Sequence, residues 1–365
     1  MILFYLLLFR RPIKSADKVK KLKLVAISAL VLLIGLGFVE LWVNLQNPSI
    51  YKLDSILGWA IKPNFQHSYA QKNIDRTSYP VDFATNDMGL RVNGDPGTAL
   101  KKILVVGDSY TMEPYASDQQ MWWAVGAKKL ADLNHSPGSI YAMAGGGGGW
   151  GTYQELVLVQ NIIQKIRPDI FVLQFCDNDF ANNSKNLEAY TITRSQKLRR
   201  PYMSPSGDVT FSTEWIAPLW RLPVIGQSRV LNFIDVAVQV GQSYYYKNKF
   251  GLGWGAPIDP QLKVELEAES LLITKRLLAE MRRSVGDIPA FMVNCNNENK
   301  GLNARWREMA IEAGFVPLSA PSASIERVRT YGGDMVSYVD GAHLNVRGNE
   351  IYGNAFGEEL ARGLK

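Results

Sequence analysis

The sequence predicts an α/β domain built on a parallel sheet covered on both faces, carried behind a single membrane-spanning helix. From residue 102 onward, short apolar runs alternate with stretches of helical periodicity. That is the pattern of strands buried on both sides and joined by crossover helices. Residues 24–43 are mostly apolar and follow a strongly basic segment. At 365 residues the chain is long enough for one large core with additions.

Residues 1–23 contain Arg10, Arg11, Lys14, Lys18, Lys20, Lys21 and Lys23 against Asp17 alone, and so carry the whole formal charge of +6. The remainder is balanced, which argues against a nucleic-acid partner. Residues 24–43, with Glu40 near one end, are long enough to cross a bilayer. Leu41-Trp42-Val43-Asn44-Leu45 offers no small-residue cleavage site, so an anchor is expected rather than a cleaved signal peptide. The basic flank stays in the cytoplasm and sends residues from about 46 onward across the membrane, with Trp42 at the outer interface. The expectation is a single-pass protein of the inner (cytoplasmic) membrane, with its domain on the periplasmic side. Residues 1–9 are apolar but too short to span; they read as lying along the inner surface or as a misplaced start.

Residues 44–100 form an approach segment rich in Pro, Gly and Asn, with strand-like pieces such as 79–84. The domain, 101–365, then reads as a strand at 103–106, a helix at 119–133, a strand at 140–143, a helix at 153–166 and a longer strand at 170–176. After an insertion come a helix at 262–283, a strand at 290–295, a helix at 303–313, a short strand at 315–318 and a closing helix that Asn345 can cap. The insertion, about 182–260, is aromatic and basic at first (Tyr190, Arg194, Lys197, Arg199, Arg200, Tyr202) and carries Trp215, Trp220 and Tyr244-Tyr245-Tyr246. It reads either as a lid, substrate wall or partner surface, or as a helical decoration with its own small core. Cys176 and Cys295 each end an apolar run expected to form neighbouring parallel strands. A bridge between such strands strains disulfide geometry, so two buried thiols are expected.

Gly107-Asp108-Ser109-Tyr110-Thr111 follows the apolar run 102–106. The Ser109 hydroxyl therefore falls at a strand's C-terminal end, where open α/β sheets bind ligands. A serine nucleophile needs a base within reach. His343 is the candidate, and Asp340 precedes it by three residues, close enough to hold one ring nitrogen while the other faces Ser109. The only other histidines, His67 and His135, sit in polar contexts and read as surface residues. A developing oxyanion needs preorganised donors. The glycines at 145–149 lie between a strand and a helix, where backbone amides can approach a substrate, and Asn178 follows the next strand by two residues. Asp108 and Asp179 read as partners of loop amides. Gly146-x-Gly148-x-x-Gly151 matches a dinucleotide fingerprint, but it follows the second strand and lacks the acidic ribose partner, so no cofactor is expected. No Cys/His cluster has metal spacing, so no metal is expected either.

In this order the four blocks resemble those of the SGNH hydrolases, the GDSL-like esterases: Gly107-Asp108-Ser109, the glycine-rich turn 145–151, Asn178-Asp179, and Asp340-x-x-His343. The resemblance spans roughly residues 100–360. The third block has Cys176 where the family usually has Gly. Leu57-Gly58-Trp59, Lys62-Pro63-Asn64 and Thr85-Asn86-Asp87-Met88-Gly89-Leu90-Arg91 look like the approach segment of membrane-anchored members from bacterial polysaccharide loci. The resemblance implies a three-layer, flavodoxin-like parallel sheet. It also implies Ser109 as nucleophile, His343 as base and Asp340 as its orienting carboxylate. The oxyanion hole would combine the Ser109 amide, Asn178 and a glycine. That glycine is Gly149 counting back from Trp150-Gly151-Thr152, or Gly146 counting forward from the strand. The implied function is a tethered serine esterase that removes O-acetyl groups from cell-envelope or exported glycans. Two alternatives stand beside it: an O-acetyltransferase working with a separate multi-spanning membrane partner, and a non-catalytic scaffold or glycan-binding subunit. Lipase-like action on membrane lipids is a third.

Overall fold

The computed structural model describes residues 15–46, 48–73, 75–94, 97, 100–112, 114–136, 138–191, 200–211, 228–231, 233–234, 237–238, 241, 258–295, 298–330 and 343–364. The chain enters as helix α1 (Ser15–Gln46), whose stretch Val19–Gln46 is long and apolar enough to cross a membrane and has none of its apolar window buried. α1 outruns the apolar residues 24–43 because the Lys-rich turns before them are good helix formers. Two antiparallel hairpins follow, β1 (Tyr51–Asp54) with β2 (Gly58–Ile61), and β3 (Gln66–Lys72) with β4 (Ser78–Ala84). A short strand β5 (Arg91–Asn93) leads into the main domain.

That domain runs β6 (Lys101–Gly107), α2 (Ser109–Met112), α3 (Trp122–Leu133), β7 (Ile140–Gly146), α4 (Thr152–Ile166) and β8 (Ile170–Phe175). α5 (Asp177–Asn183) follows, and the insertion then contains α6 (Lys185–Glu188) and the hairpin β9 (Pro201–Met203) and β10 (Val209–Phe211). The chain then returns through α7 (Pro260–Val285), β11 (Ala290–Asn294), α8 (Trp306–Ala313), β12 (Val316–Leu318), α9 (Ala320–Thr330) and α10 (Val346–Gly363).

The sheet order is β12-β11-β8-β6-β7-β5, parallel throughout except for β5, which pairs antiparallel with β7. Without that edge strand the order along the chain is 2-1-3-4-5, the flavodoxin-like doubly wound arrangement. Alternate residues of each strand serve opposite faces. Ile103 and Val105 pack with Trp123 and Ala127 of α3 and Phe356 of α10. Leu104 and Val106 pack with Leu156 and Val159 of α4 and Leu277 of α7. Each such fully buried aliphatic side chain contributes about 1.5–3 kcal/mol.

Helix ends follow local chemistry. α7 starts two residues before the apolar periodicity does, because Asp259 accepts the Gln261 and Leu262 amides and Pro260 takes the first position. Asn345 caps α10 as expected, accepting the Gly348 amide at 2.9 Å. The expected helices at 119–133 and 303–313 each begin as a tighter 3₁₀ turn, Asp118–Gln120 and Gly301–Arg305. β5 is too short, and α9 too poor in large apolar residues, to be announced by periodicity.

The expectation of two thiols is overturned: Cys176 and Cys295 form a disulfide, with Cα atoms 5.2 Å apart. Both cysteines lie one residue past the last ladder pair, Phe175 opposite Asn294, although the Cys295 amide still donates to Phe175 O at 3.1 Å. The parallel pleat no longer dictates side-chain direction there, and the separation falls within the range a bridge requires. The bridge closes a loop of 119 residues, so replacing both cysteines by serine should lower the unfolding free energy by about 3–5 kcal/mol. Denaturation of the full chain with and without dithiothreitol measures this; identical midpoints would rule it out.

Candidate active site

β6 ends at Gly107, opposite Gly146 at the end of β7. Gly146 has φ +152°, and a Cβ there would lie 1.8 Å from the Gly107 carbonyl oxygen, so only glycine allows the two strand ends to approach. Asp108 and Ser109 then turn into α2, leaving Ser109 at the C-terminal edge of the sheet. His343 arrives just ahead of α10, from 234 residues away, and its Nε2 lies 2.7 Å from Ser109 Oγ. The imidazole sits between two rings, with centroids 4.7 Å from Tyr110 and 5.0 Å from Tyr115, the latter stacked. These tyrosines fix the ring plane. Sequence reasoning missed both, although Tyr110 adjoins Ser109. Asp340 lies outside the described residues. Of the other histidines, His135 is exposed, and His67 is half-buried on β3, stacked on Tyr69.

Asn178 lies in the first turn of α5, immediately after β8, and its Nδ2 donates to Asp108 Oδ2 at 3.0 Å. A carboxamide has two N–H hydrogens, and among the described residues the second of this half-buried side chain has no acceptor. Asp108 Oδ1 accepts the Tyr110 amide at 3.0 Å, while Asp179 Oδ2 accepts the Cys176 amide at 2.7 Å. Both aspartates thus serve loop amides as expected, and Asp108 also holds Asn178. The disulfide lies directly beneath, with Cys176 Sγ 3.4 Å from Asp108 Oδ1; a bridged sulfur has no proton to donate, so this is packing.

The glycine-rich turn is gripped from two sides. The Gly148 amide donates to the Tyr51 hydroxyl at 2.7 Å, and the Gly148 carbonyl accepts Trp59 Nε1 at 3.0 Å. The Gly149 carbonyl accepts from Arg200 Nη2 and, at 3.3 Å, from Asn182 Nδ2. Arg200 is fully buried, donates to Gln154 Oε1 at 2.7 Å, pairs with Glu188 at 3.1 Å and lies over the Trp59 ring. Tyr202 is likewise buried and donates to Glu188 Oε2. This part of the insertion is a wall behind the turn; Arg194, Lys197, Arg199, Trp215, Trp220 and Tyr244 to Tyr246 lie outside the described residues. Gly146 is fully buried in the ladder, whereas Gly149 is half-exposed at φ +66°, and among the described residues its amide has no partner.

No family model and no curated protein sequence matches the chain. Solved structures to which it is similar include a protein described as a GDSL-like lipase from Parabacteroides merdae, 14% identical over 73% of this chain and 98% of that one, with TM-score 0.36. A family 3 carbohydrate esterase from Clostridium thermocellum is 12% identical over 72% and 98% of the two chains, also at 0.36. The acetylxylan esterase Axe2 from Geobacillus stearothermophilus is 12% identical over 72% and 94%, again at 0.36. At such identities and scores these similarities carry no argument about this chain. Its own strand order, and the placing of three of the four blocks at the C-terminal ends of β6, β7 and β8, agree with the arrangement expected of an SGNH-type hydrolase.

Beneath the site lie three fully buried carboxyls: Asp108, Asp179 and Glu155, the last in the first turn of α4 and not anticipated from sequence. Burial pushes Asp108 up, against the hydrogen bonds from Asn178 and Tyr110. Burial, then the Asp108 charge, holds Glu155 well above the usual carboxylate range; burial, then Glu155 and Asp108, does the same to Asp179. Both Glu155 oxygens lack a partner among the described residues. A carboxyl raised in the folded state contributes stability that is full below its unfolded value, about 4.3, and is lost as pH rises through its folded one. Glu155→Gln should therefore stabilise the protein more at pH 8 than at pH 5 and flatten its loss of stability with rising pH. Urea unfolding at both pH values checks this, and an unchanged pH slope would refute it.

Proposed function

We propose that the chain is a membrane-tethered, extracytoplasmic serine esterase, and the observation that carries this is the 2.7 Å contact between His343 Nε2 and Ser109 Oγ. A hydroxyl at that distance from an imidazole can give up its proton as it attacks an ester carbonyl. His343 takes that proton, passes it to the departing alcohol, then draws one from the water that resolves the acyl-enzyme. Asp340 steadies the imidazole through its other nitrogen. The oxyanion is met by the Ser109 amide, the second Nδ2 hydrogen of Asn178 and the amide of Gly149, which we favour over the buried Gly146. Asp108 aims Asn178, and a donor held in place before charge develops does not have to reorganise during reaction.

The substrate class in this proposal is O-acetyl groups on cell-envelope or exported glycans. Its support is the tether together with the resemblance of residues 57–91 to anchored proteins of polysaccharide loci. α1 crosses the inner membrane with residues 1–23 in the cytoplasm, which leaves the site on the periplasmic side.

The full chain in detergent should hydrolyse p-nitrophenyl acetate faster than longer-chain esters. Ser109→Ala and His343→Ala should each lower kcat by at least about 1,000-fold. Absence of serine-dependent turnover at every chain length would sink the esterase reading. Asn178→Ala should lower kcat by about 100- to 1,000-fold with a smaller change in KM, as expected for a donor that acts on the transition state. With an acetylated donor and a glycan acceptor, acetate as the main product supports hydrolysis; acetylated acceptor as the main product would replace it with transfer.

A further inference from the structure

α1 is solvent-facing along its apolar length and first meets the rest of the chain on one face, at Glu40, Val43 and Asn44. Glu40 does not face open solvent there. Its carboxylate accepts the Ser228 hydroxyl at 2.7 Å, the Arg229 amide at 2.8 Å and the Val230 amide at 3.0 Å, with Asn44 Nδ2 donating at 2.6 Å. It caps a second helical segment, in which residues 229–231, 233–234, 237–238 and 241 are helical. The apolar run 24–43 ends three residues past Glu40, so the cap lies about 5 Å below that end along the helix axis. The second segment thus begins at the depth where acyl chains give way to headgroups.

Its side chains suit that depth. Leu231, Ile234 and Val238, at i, i+3 and i+7, share one helical face and are 37%, 50% and 52% exposed. In water this row would stay uncovered. α1 is apolar at the same level, where Val39, Leu41 and Trp42 are exposed. On the domain side, Lys62 is close enough to Arg229 for the two charges to act on each other, burial and that neighbouring cation together lowering the Lys62 pKa. Two cations at this level match anionic headgroups.

We infer that the helical residues following Ser228 lie at the membrane interface, with Leu231, Ile234 and Val238 entering the outer leaflet of the bilayer and Glu40 clasping them to the anchor. This rests on α1 being the membrane span. A carboxylate near the acyl boundary needs donors, and a helix N-terminus with a serine hydroxyl supplies three. Two attachments, one spanning and one lying flat, hold the domain at a fixed height and tilt over the membrane.

Both native cysteines are bridged, so single introduced cysteines can be labelled selectively. The full chain carrying Ile234→Cys, Trp42→Cys or Ile311→Cys is labelled with bimane and reconstituted into phosphatidylethanolamine–phosphatidylglycerol vesicles containing nitroxide-labelled lipid. Fluorescence at 234 and at 42 should each fall by about twofold or more, and that at 311, exposed on α8, should not. Quenching at 42 without quenching at 234 would overturn the proposal and leave a protein partner as the occupant. Quenching at neither would overturn it together with the anchor. Adding Glu40→Ala should reduce quenching at 234 while sparing 42; undiminished quenching at 234 would overturn the clasp.

Discussion

The hydrogen bond from Asn178 to Asp108 sets the relation between two strand ends, and the rest of the site is arranged around it. β6 and β8 are parallel neighbours, which brings their C-terminal loops close but does not align them. Asp108 aligns them. Fully buried, it needs donors, and finds them in the Tyr110 amide on its own turn and the Asn178 side chain on the other. Losing either would leave a buried carboxyl under-satisfied, at a cost of about 1–3 kcal/mol or more. Ser109 and Asn178 therefore cannot drift apart independently. The Cys176–Cys295 bridge holds the same turn to β11.

The glycine-rich turn is held differently. Its flexibility would work against preorganised donors, and three distant parts of the chain remove it: Tyr51 and Trp59 from the first hairpin, Arg200 from the insertion, and Asn182 from α5. Such bonds contribute about 0.5–1.5 kcal/mol net apiece, but each also consumes an amide or carbonyl that could point elsewhere. The hairpin that follows α1 and the wall built by the insertion thus meet on the turn beside Ser109.

The core elements were legible because period-two and period-3.6 patterns survive in sequence; β6, β7, β8, α4 and α7 each lie within three residues of expectation at either end. β5 and the 3₁₀ turns were not, since three-residue strands and single turns carry no period; α9 was not, because few of its residues are large and apolar. The disulfide is not legible in sequence because Cys176 and Cys295 close apolar runs as strand residues do, whereas the ladder stops one position earlier. Tyr115, Glu155 and Arg200 were invisible as site neighbours because their meaning lies in what they touch.

By itself, the sequence determined the alternation of strands and helices and the apolar stretch behind a basic segment, and it singled out Ser109, Asn178 and His343 as candidates. These depend on residue type and local spacing, which a linear chain displays directly. Tertiary structure alone decided that His343 reaches Ser109 across 234 residues, that two cysteines past a ladder's end meet, and that Gly149 rather than Gly146 keeps a half-exposed amide. Each of these is a relation between strand ends, set by sheet order and by the buried polar groups that must find partners there.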